Sequence, residues 1–233
     1  MCLISFSCTS ETEITNTNQE IIATSTLSRQ ELNKIAEIIG EEIENSVVPD
    51  SSALDPATKR VANCISSVSN SSSCSPGTVT LTEAKAQQLI TPLVNDGVAI
   101  RNSIKVQNEN QRVLTDEDIL FLDELDDLDL ATMSFVVALS SEGSLDDFKQ
   151  DIDNKVITKQ DWDEYIYPCL SAAFGIPSLK TYGDWILVKD GISAVKFIPF
   201  MKTLAKHYGG YFGIALTIYG TYNCLKDKKF FDK

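Results

Sequence analysis

Six cysteines, one histidine and a dense run of carboxylates are the residues of this 233-residue chain with the most chemistry to offer. The cysteines stand at positions 2, 8, 64, 74, 169 and 224. None forms a C-x-x-C pair, which speaks against zinc binding and thioredoxin-type redox chemistry. His207 is the only imidazole, so any Ser–His or Cys–His nucleophilic pair must be built on it. It stands between lysines and an apolar stretch, without a G-x-S-x-G motif nearby, and reads as a surface or interface histidine. The sequence has no P-loop, no G-x-G-x-x-G after a strand and no H-E-x-x-H. The chain is therefore expected not to be an enzyme, and no catalytic residue, metal ligand or cofactor is assigned. An enzyme with an acidic cleft is the third-ranked reading.

The carboxylates Asp116, Glu117, Asp118, Asp123, Glu124, Asp126, Asp127 and Asp129 invite an acid–base or metal reading. Two nearby carboxylates can divide proton roles when their environments differ. These fall in first helical turns, where negative charge favours the helix dipole, and on polar faces, so a solvated face is expected. The stretch 151–161, DIDNKVITKQD, resembles a degenerate EF-hand calcium loop in its D-x-D start and late carboxylate. It is one residue short, lacks the central glycine, and ends in Asp161 where Glu gives bidentate reach. A polar loop before a helix cap at Thr158 is the preferred reading. Calcium held by Asp151, Asp153 and Asp161 is the other.

The first eight residues read MCLISFSC. An apolar run ending in a small residue and then cysteine resembles the tail of a bacterial lipoprotein signal, with Ser7 before a lipidated Cys8. Ser5 departs from the pattern, there is no basic segment ahead, and the apolar stretch is short; a start codon placed too late would explain the last two. An ordinary N-terminal strand or tail is the alternative. From Cys8 to residue 26 the chain is rich in Ser, Thr, Asn and Glu, a composition that suits a solvated tether between an anchor and a folded domain.

Setting aside the two cysteines of that segment leaves four. Cys64 and Cys74 flank a serine-rich loop, and Cys169 and Cys224 fall on two C-terminal helical segments. An even count in an exported chain favours disulfides. Of the three possible pairings, Cys64–Cys74 and Cys169–Cys224 are expected; free buried thiols acting as small apolar residues are the alternative.

The elements that must position these groups are helical. Ser28 with Glu31, Thr80 with Glu83, Thr115 with Asp118, Ser144 with Asp147 and Thr158 with Asp161 read as helix starts, and Asp55-Pro56 as a cap followed by proline in the first turn. Leu32, Ile35, Ala36, Ile39 and Ile43 keep the three-four spacing of one buried face. Pro92 should kink or end its helix, with a further stretch near 96–107. Residues 116–141 read as two helices joined near Asp126-Asp127, and a later helix ends at Gly175. Val195, Ile198, Met201, Leu204 and Tyr208 form an apolar stripe, with Pro199 in the first turn or at a kink. Strand signals are confined to 78–81 and 184–189. The fold class expected is all-α, a multi-helix bundle with a tightly packed apolar C-terminal helical hairpin.

Residues 208–225 carry no charge, and Gly209, Gly213, Thr217 and Thr221 recur every four residues. Such a lane lets another helix approach closely, in a tight bundle or in a membrane. The length is marginal for spanning, and a central core helix is expected.

Charge bounds the partners. The chain carries −13 overall, which argues against sequence-independent nucleic-acid binding. Residues 1–175 hold 11 basic and 29 acidic residues, whereas 176–233 hold 9 and 4. The basic end is expected to pack on the acidic body; an anionic surface such as a membrane is the alternative.

The pattern CLSAAFGI at 169–176, YGGYFG at 208–213 and YNC ending at Cys224 resembles the C-terminal region of uncharacterised exported bacterial proteins, often lipoproteins. The resemblance implies export and no particular activity. Three regions are expected: 1–26 as signal remnant and polar tether, 27–150 as an acidic helical region, and 151–233 as a C-terminal helical region. The expected function is that of an exported or surface-tethered helical protein with a binding or structural role. It would sit in the periplasm or at the cell surface, with a protein or cell-envelope partner and a membrane contact through the lipid anchor. The alternative is a membrane-active or toxin-like protein that inserts its basic and glycine-rich C-terminal helices.

Overall fold

The computed structural model describes residues 20–44, 81–140, 158–176, 187–188, 191–204 and 209–232. Among these, the fold is all-α with one small sheet. Strand β1 (Ile22–Ala23) precedes α1 (Arg29–Glu44), α2 (Glu83–Gln111), α3 (Asp116–Asp123) and α4 (Asp127–Ser140). Then come α5 (Lys159–Asp161), a π-helical turn (Trp162–Ile166) and α6 (Tyr167–Phe174) as one continuous rod. Strands β2 (Leu187–Val188) and β3 (Gly191–Ser193) lead into α7 (Ala194–Leu204). Helix α8 (Gly210–Asp227) and a 3-10 turn (Phe230–Asp232) end the described chain.

Local side-chain chemistry sets the helix starts. Glu31 accepts from the Ser28 N–H at 2.8 Å while Ser28 Oγ accepts from the Glu31 N–H at 3.2 Å. Thr115 and Asp118 form the same reciprocal box, as do Thr158 and Asp161. Asp126 caps α4 through the Leu128 and Asp129 N–H groups, both at 2.9 Å. Each satisfies orphan donors of a first turn. For α2 the cap is Thr82, which accepts from the Lys85 N–H, and not the expected Thr80. Gly175 closes α6 with φ of 66°, a left-handed position that glycine fills without a Cβ penalty. The expected starts at Asp55-Pro56 and Ser144 lie outside the described residues.

Pro92 does not end its helix: α2 runs unbroken through it. The side chain is exposed, so the ring and the carbonyl it leaves unpaired sit on the solvent side. The buried register at Ala86, Ile90, Leu93, Gly97, Ile100 and Ile104 continues on the opposite face. In the α5–α6 rod the proline does leave a mark. Pro168 brings no N–H for the Glu164 carbonyl and its ring crowds that oxygen. The turn ahead of it widens to π, with the Tyr167 N–H reaching the Trp162 carbonyl. Lys228 Nζ donates to the Glu164 carbonyl at 3.2 Å.

One core joins the two expected helical regions, running from Ile21 to Phe230. Helix α2 lies along α4, and α8 packs against α1, α2, α4 and α6. Its buried residues run from Gly213 to Leu225 around much of its circumference, so the uncharged segment is a central core helix. Among the described residues no helix is long and apolar enough to cross a membrane. The expected α7 stripe is buried at Ile198, Met201 and Leu204, where Phe197 and Phe200 join it, but Val195 is 40% exposed; Tyr208 lies outside the described residues. Pro199 lies inside α7.

The expected polar tether is corrected at its C-terminal end. Ile21 and Ala23 are fully buried, and β1 pairs antiparallel with β3, Ile22 opposite Ser193 and Ala23 opposite Ile192. Strand β2 pairs on the other side of β3, within the expected 184–189 signal; of the 78–81 signal, only Leu81 is described, and it is not in a strand.

Candidate functional site

Three constellations bring chemistry-bearing side chains together. The first is the C-terminal staple. Thr158 and Asp161 start the rod that carries Cys169, and α8 carries Cys224 near its end. The two cysteines form a disulfide with Cα atoms 5.6 Å apart, 55 residues apart in sequence. Cys169 is fully buried. Around this end, Tyr165 packs on Phe230, Tyr222 on Phe231, and the Arg29 guanidinium lies over Phe230. The Tyr222 hydroxyl donates to Glu37 at 2.8 Å. Burial, with that bond to a carboxylate, pushes its pKa up to about 12.

The lane expected on α8 is built as small residues facing a crowded core. Gly209 is the N-cap and partly exposed, Gly213 is buried, and Thr217 and Thr221 are buried. The two threonine hydroxyls donate back to the Gly213 and Thr217 carbonyls at 2.9 and 2.8 Å. They are thereby satisfied inside an apolar environment.

The second constellation gathers the first turns of α2, α4 and α8. Gly209 has no side chain to cap α8, and Glu83 of α2 supplies the missing acceptor to the Phe212 N–H at 3.1 Å. The Tyr211 hydroxyl donates to Asp127 at 3.2 Å and accepts from Gln87 at 3.1 Å. Burial, then the bond to Asp127, raise the tyrosine's pKa. Beside it, burial and the neighbouring Asp126 charge push Asp129 up to about 6. Asp118 has the opposite balance. Its burial works upward, but the Thr115 hydroxyl and Lys202 outweigh it and hold the carboxyl below its ordinary value. Glu117, Asp118, Asp123, Asp126, Asp127 and Asp129 of the acidic run thus serve as helix cap, cap partners and hydrogen-bond or ion-pair acceptors. Lys105 bonds Asp123 at 2.5 Å, and Lys202 bridges Glu117 and Asp118 at 3.1 and 3.0 Å. Lys202 joins a C-terminal helix to the acidic body, as the charge partition predicts.

The third constellation was not legible in the sequence. Asp96, in the middle of α2, is only 4% exposed. One oxygen accepts from the Thr26 N–H at 2.8 Å and the Thr26 hydroxyl at 2.6 Å. The other accepts from the Ser25 and Ser134 hydroxyls, both at 2.7 Å. Four donors fill the lone-pair sites of a carboxylate, so the group is a tie between β1's exit, α2 and α4. The available signal was a charge at position 96, beside Gly97 on the buried register of α2.

Cys8, Cys64, Cys74, Asp151, Asp153 and His207 lie outside the described residues. Asp161 is described, and its carboxylate is engaged by the Thr158 N–H and hydroxyl. Among the described residues no group of three His, Cys, Asp or Glu could hold a metal ion. No protein-family model, curated protein or solved structure matches the chain.

Proposed function

We propose that this is an exported or surface-tethered helical protein with a binding or structural role, held outside the cytosol by a lipid on Cys8. The observation that carries the reading is the Cys169–Cys224 bond at the α6–α8 interface. Such bonds persist in oxidising compartments and are rare where thiols are kept reduced. The N-terminal pattern ending at Cys8 and the polar stretch after it support an anchor and a spacer. A non-enzymatic role is favoured because Glu117, Asp118, Asp123, Asp126 and Asp127 of the acidic run are engaged as caps, cap partners and ion-pair or hydrogen-bond acceptors.

The membrane-active alternative is less well supported. Helix α8 commits its apolar surface to four neighbouring helices, and Lys202 is tied to α3. Insertion would require both to be dismantled.

Labelling with a radioactive fatty acid in the native host tests the anchor. The wild type is expected to take up label and Cys8→Ala to take up none. Equal labelling of the two proteins, or no label on either, would remove the anchor from the proposal.

A further inference from the structure

We infer that Asp96–Gly97 is a latent isoaspartate site, closed to chemistry while α2 is folded and, once converted, incompatible with the fold. Glycine follows aspartate here, and a glycine has no side chain to keep its nitrogen from the preceding carboxyl. In the unfolded chain the Gly97 nitrogen attacks Asp96 Cγ. The N–Cγ bond forms, a Cγ–O bond breaks, and that oxygen leaves as water with the amide proton. Water then opens the five-membered imide. Attack at Cγ restores aspartate. Attack at the main-chain carbonyl carbon gives isoaspartate, in which the chain runs on through the side-chain carbon. One water leaves and one returns, so mass and oxidation state are unchanged.

The fold blocks each part of that reaction. Ring closure brings Cβ, Cγ and the Gly97 nitrogen into one plane with the Asp96 carbonyl carbon, a ψ that a helix does not have, and α2 is unbroken from Glu83 to Gln111. One oxygen of Asp96 accepts from the Thr26 N–H and hydroxyl, the other from the Ser25 and Ser134 hydroxyls. Turning Cγ toward the Gly97 nitrogen would break these bonds. Gly97 is pinned as well, against the Leu130 carbonyl of α4. The same contacts exclude the product. Isoaspartate adds a methylene to the main chain of α2. Ile100 and Ile104, buried after it, then fall out of register with Ile90 and Leu93, buried before it. The carboxylate moves to a different carbon and no longer meets Ser25, Thr26 and Ser134. A chain that stays unfolded long enough is thereby lost to refolding.

Peptide mapping for isoaspartate, on the full wild-type chain with its disulfide intact, tests both halves. Samples are held without urea, at the urea midpoint and in full denaturant. Asp190–Gly191, the other Asp-Gly pair in the sequence, is the internal standard. In full denaturant both positions are expected to convert at similar rates. Without urea, position 96 should convert at least about a hundredfold more slowly than in denaturant, because conversion waits for unfolding. At the midpoint folded and unfolded chains coexist, and a brief pulse of protease removes the unfolded ones. The sample before the pulse should contain isoaspartate at position 96, and the surviving chains should contain none. Conversion of position 96 without urea at the denaturant rate would overturn the protection. Conversion of position 190 alone in denaturant would remove the site. Isoaspartate at position 96 in the surviving chains would show that the fold accepts the product.

Discussion

Gly97 of α2 lies directly against the backbone carbonyl of Leu130 in α4, so close that a Cβ at position 97 would overlap that oxygen. The side chain is absent because two helix backbones meet there. Neither backbone can move aside cheaply, since Ile100 and Leu93 on one helix and Ala131 and Ser134 on the other are buried at once.

Gly97→Ala is therefore expected to destabilise the fold by about 1–3 kcal/mol, as overpacking does. Gly220 is the internal control. It lies inside α8 with nothing within 4 Å of where a Cβ would stand, so Gly220→Ala should stabilise by about 0.5–1 kcal/mol through helix propensity. Urea unfolding of both variants measures the two signs; destabilisation by Gly220→Ala and neutrality of Gly97→Ala would contradict the packing described.

Asp129 ties stability to pH. Its folded pKa is raised to about 6 by burial and by the Asp126 charge, above the ordinary carboxylate value. The folded state then binds more protons, so this group's contribution falls as pH rises from about 4 through about 6. The side chain is only partly buried, and solvent screening holds the effect to about 1 kcal/mol. Asp129→Asn should raise the unfolding midpoint at pH 7 and leave it unchanged at pH 4. Equal shifts at both pH values would contradict the assignment.

The Thr115–Asp118 box carries the opposite sign. Asp118 is held below its ordinary pKa, so its contribution is present at neutral pH and is lost as pH falls through the lowered value. Thr115→Ala should cost about 1 kcal/mol at pH 7 through loss of the cap. Lys202→Gln should cost less than about 1 kcal/mol, because the ion pairs are only partly buried and stay open to solvent on the Glu117 side. Chemical denaturation of the two variants ranks them; a larger loss at Lys202 would reverse the account of what fixes α3.

How far the sequence carried depended on the range of the interaction. The caps at Ser28, Thr115 and Thr158 were legible because donor and acceptor lie three residues apart. The join at Asp126 and the stop at Gly175 were legible for the same reason. The Cys169–Cys224 pair followed from the helical placement of both residues and an even cysteine count. What failed is tertiary. Pro92 reads locally as a break, yet its exposed side lets a long buried register carry the helix through. The end of the expected tether, residues 21–26, reads as tether because Ser25 and Thr26 are polar, and their partner, Asp96, lies 71 and 70 residues away. Val195 fits the three-four stripe of Ile198, Met201 and Leu204, but it stays exposed at the start of α7 while Phe197 and Phe200 join the other three in the core. Nothing local distinguishes Gly97, which faces Leu130, from Gly220, which faces open space.

The most direct test of the account is the state of Cys169 and Cys224 in protein taken from its native host. The cells would be quenched in acid, free thiols alkylated, and the protein digested without reduction. The account predicts the two cysteines in one cross-linked, unalkylated species. It also predicts that reduction removes about 4 kcal/mol of stability, the chain-entropy value for a loop of this length, with Cys169→Ser reproducing most of the loss. Recovery of both cysteines as separate alkylated peptides would contradict the bond and, with it, the observation on which export rests.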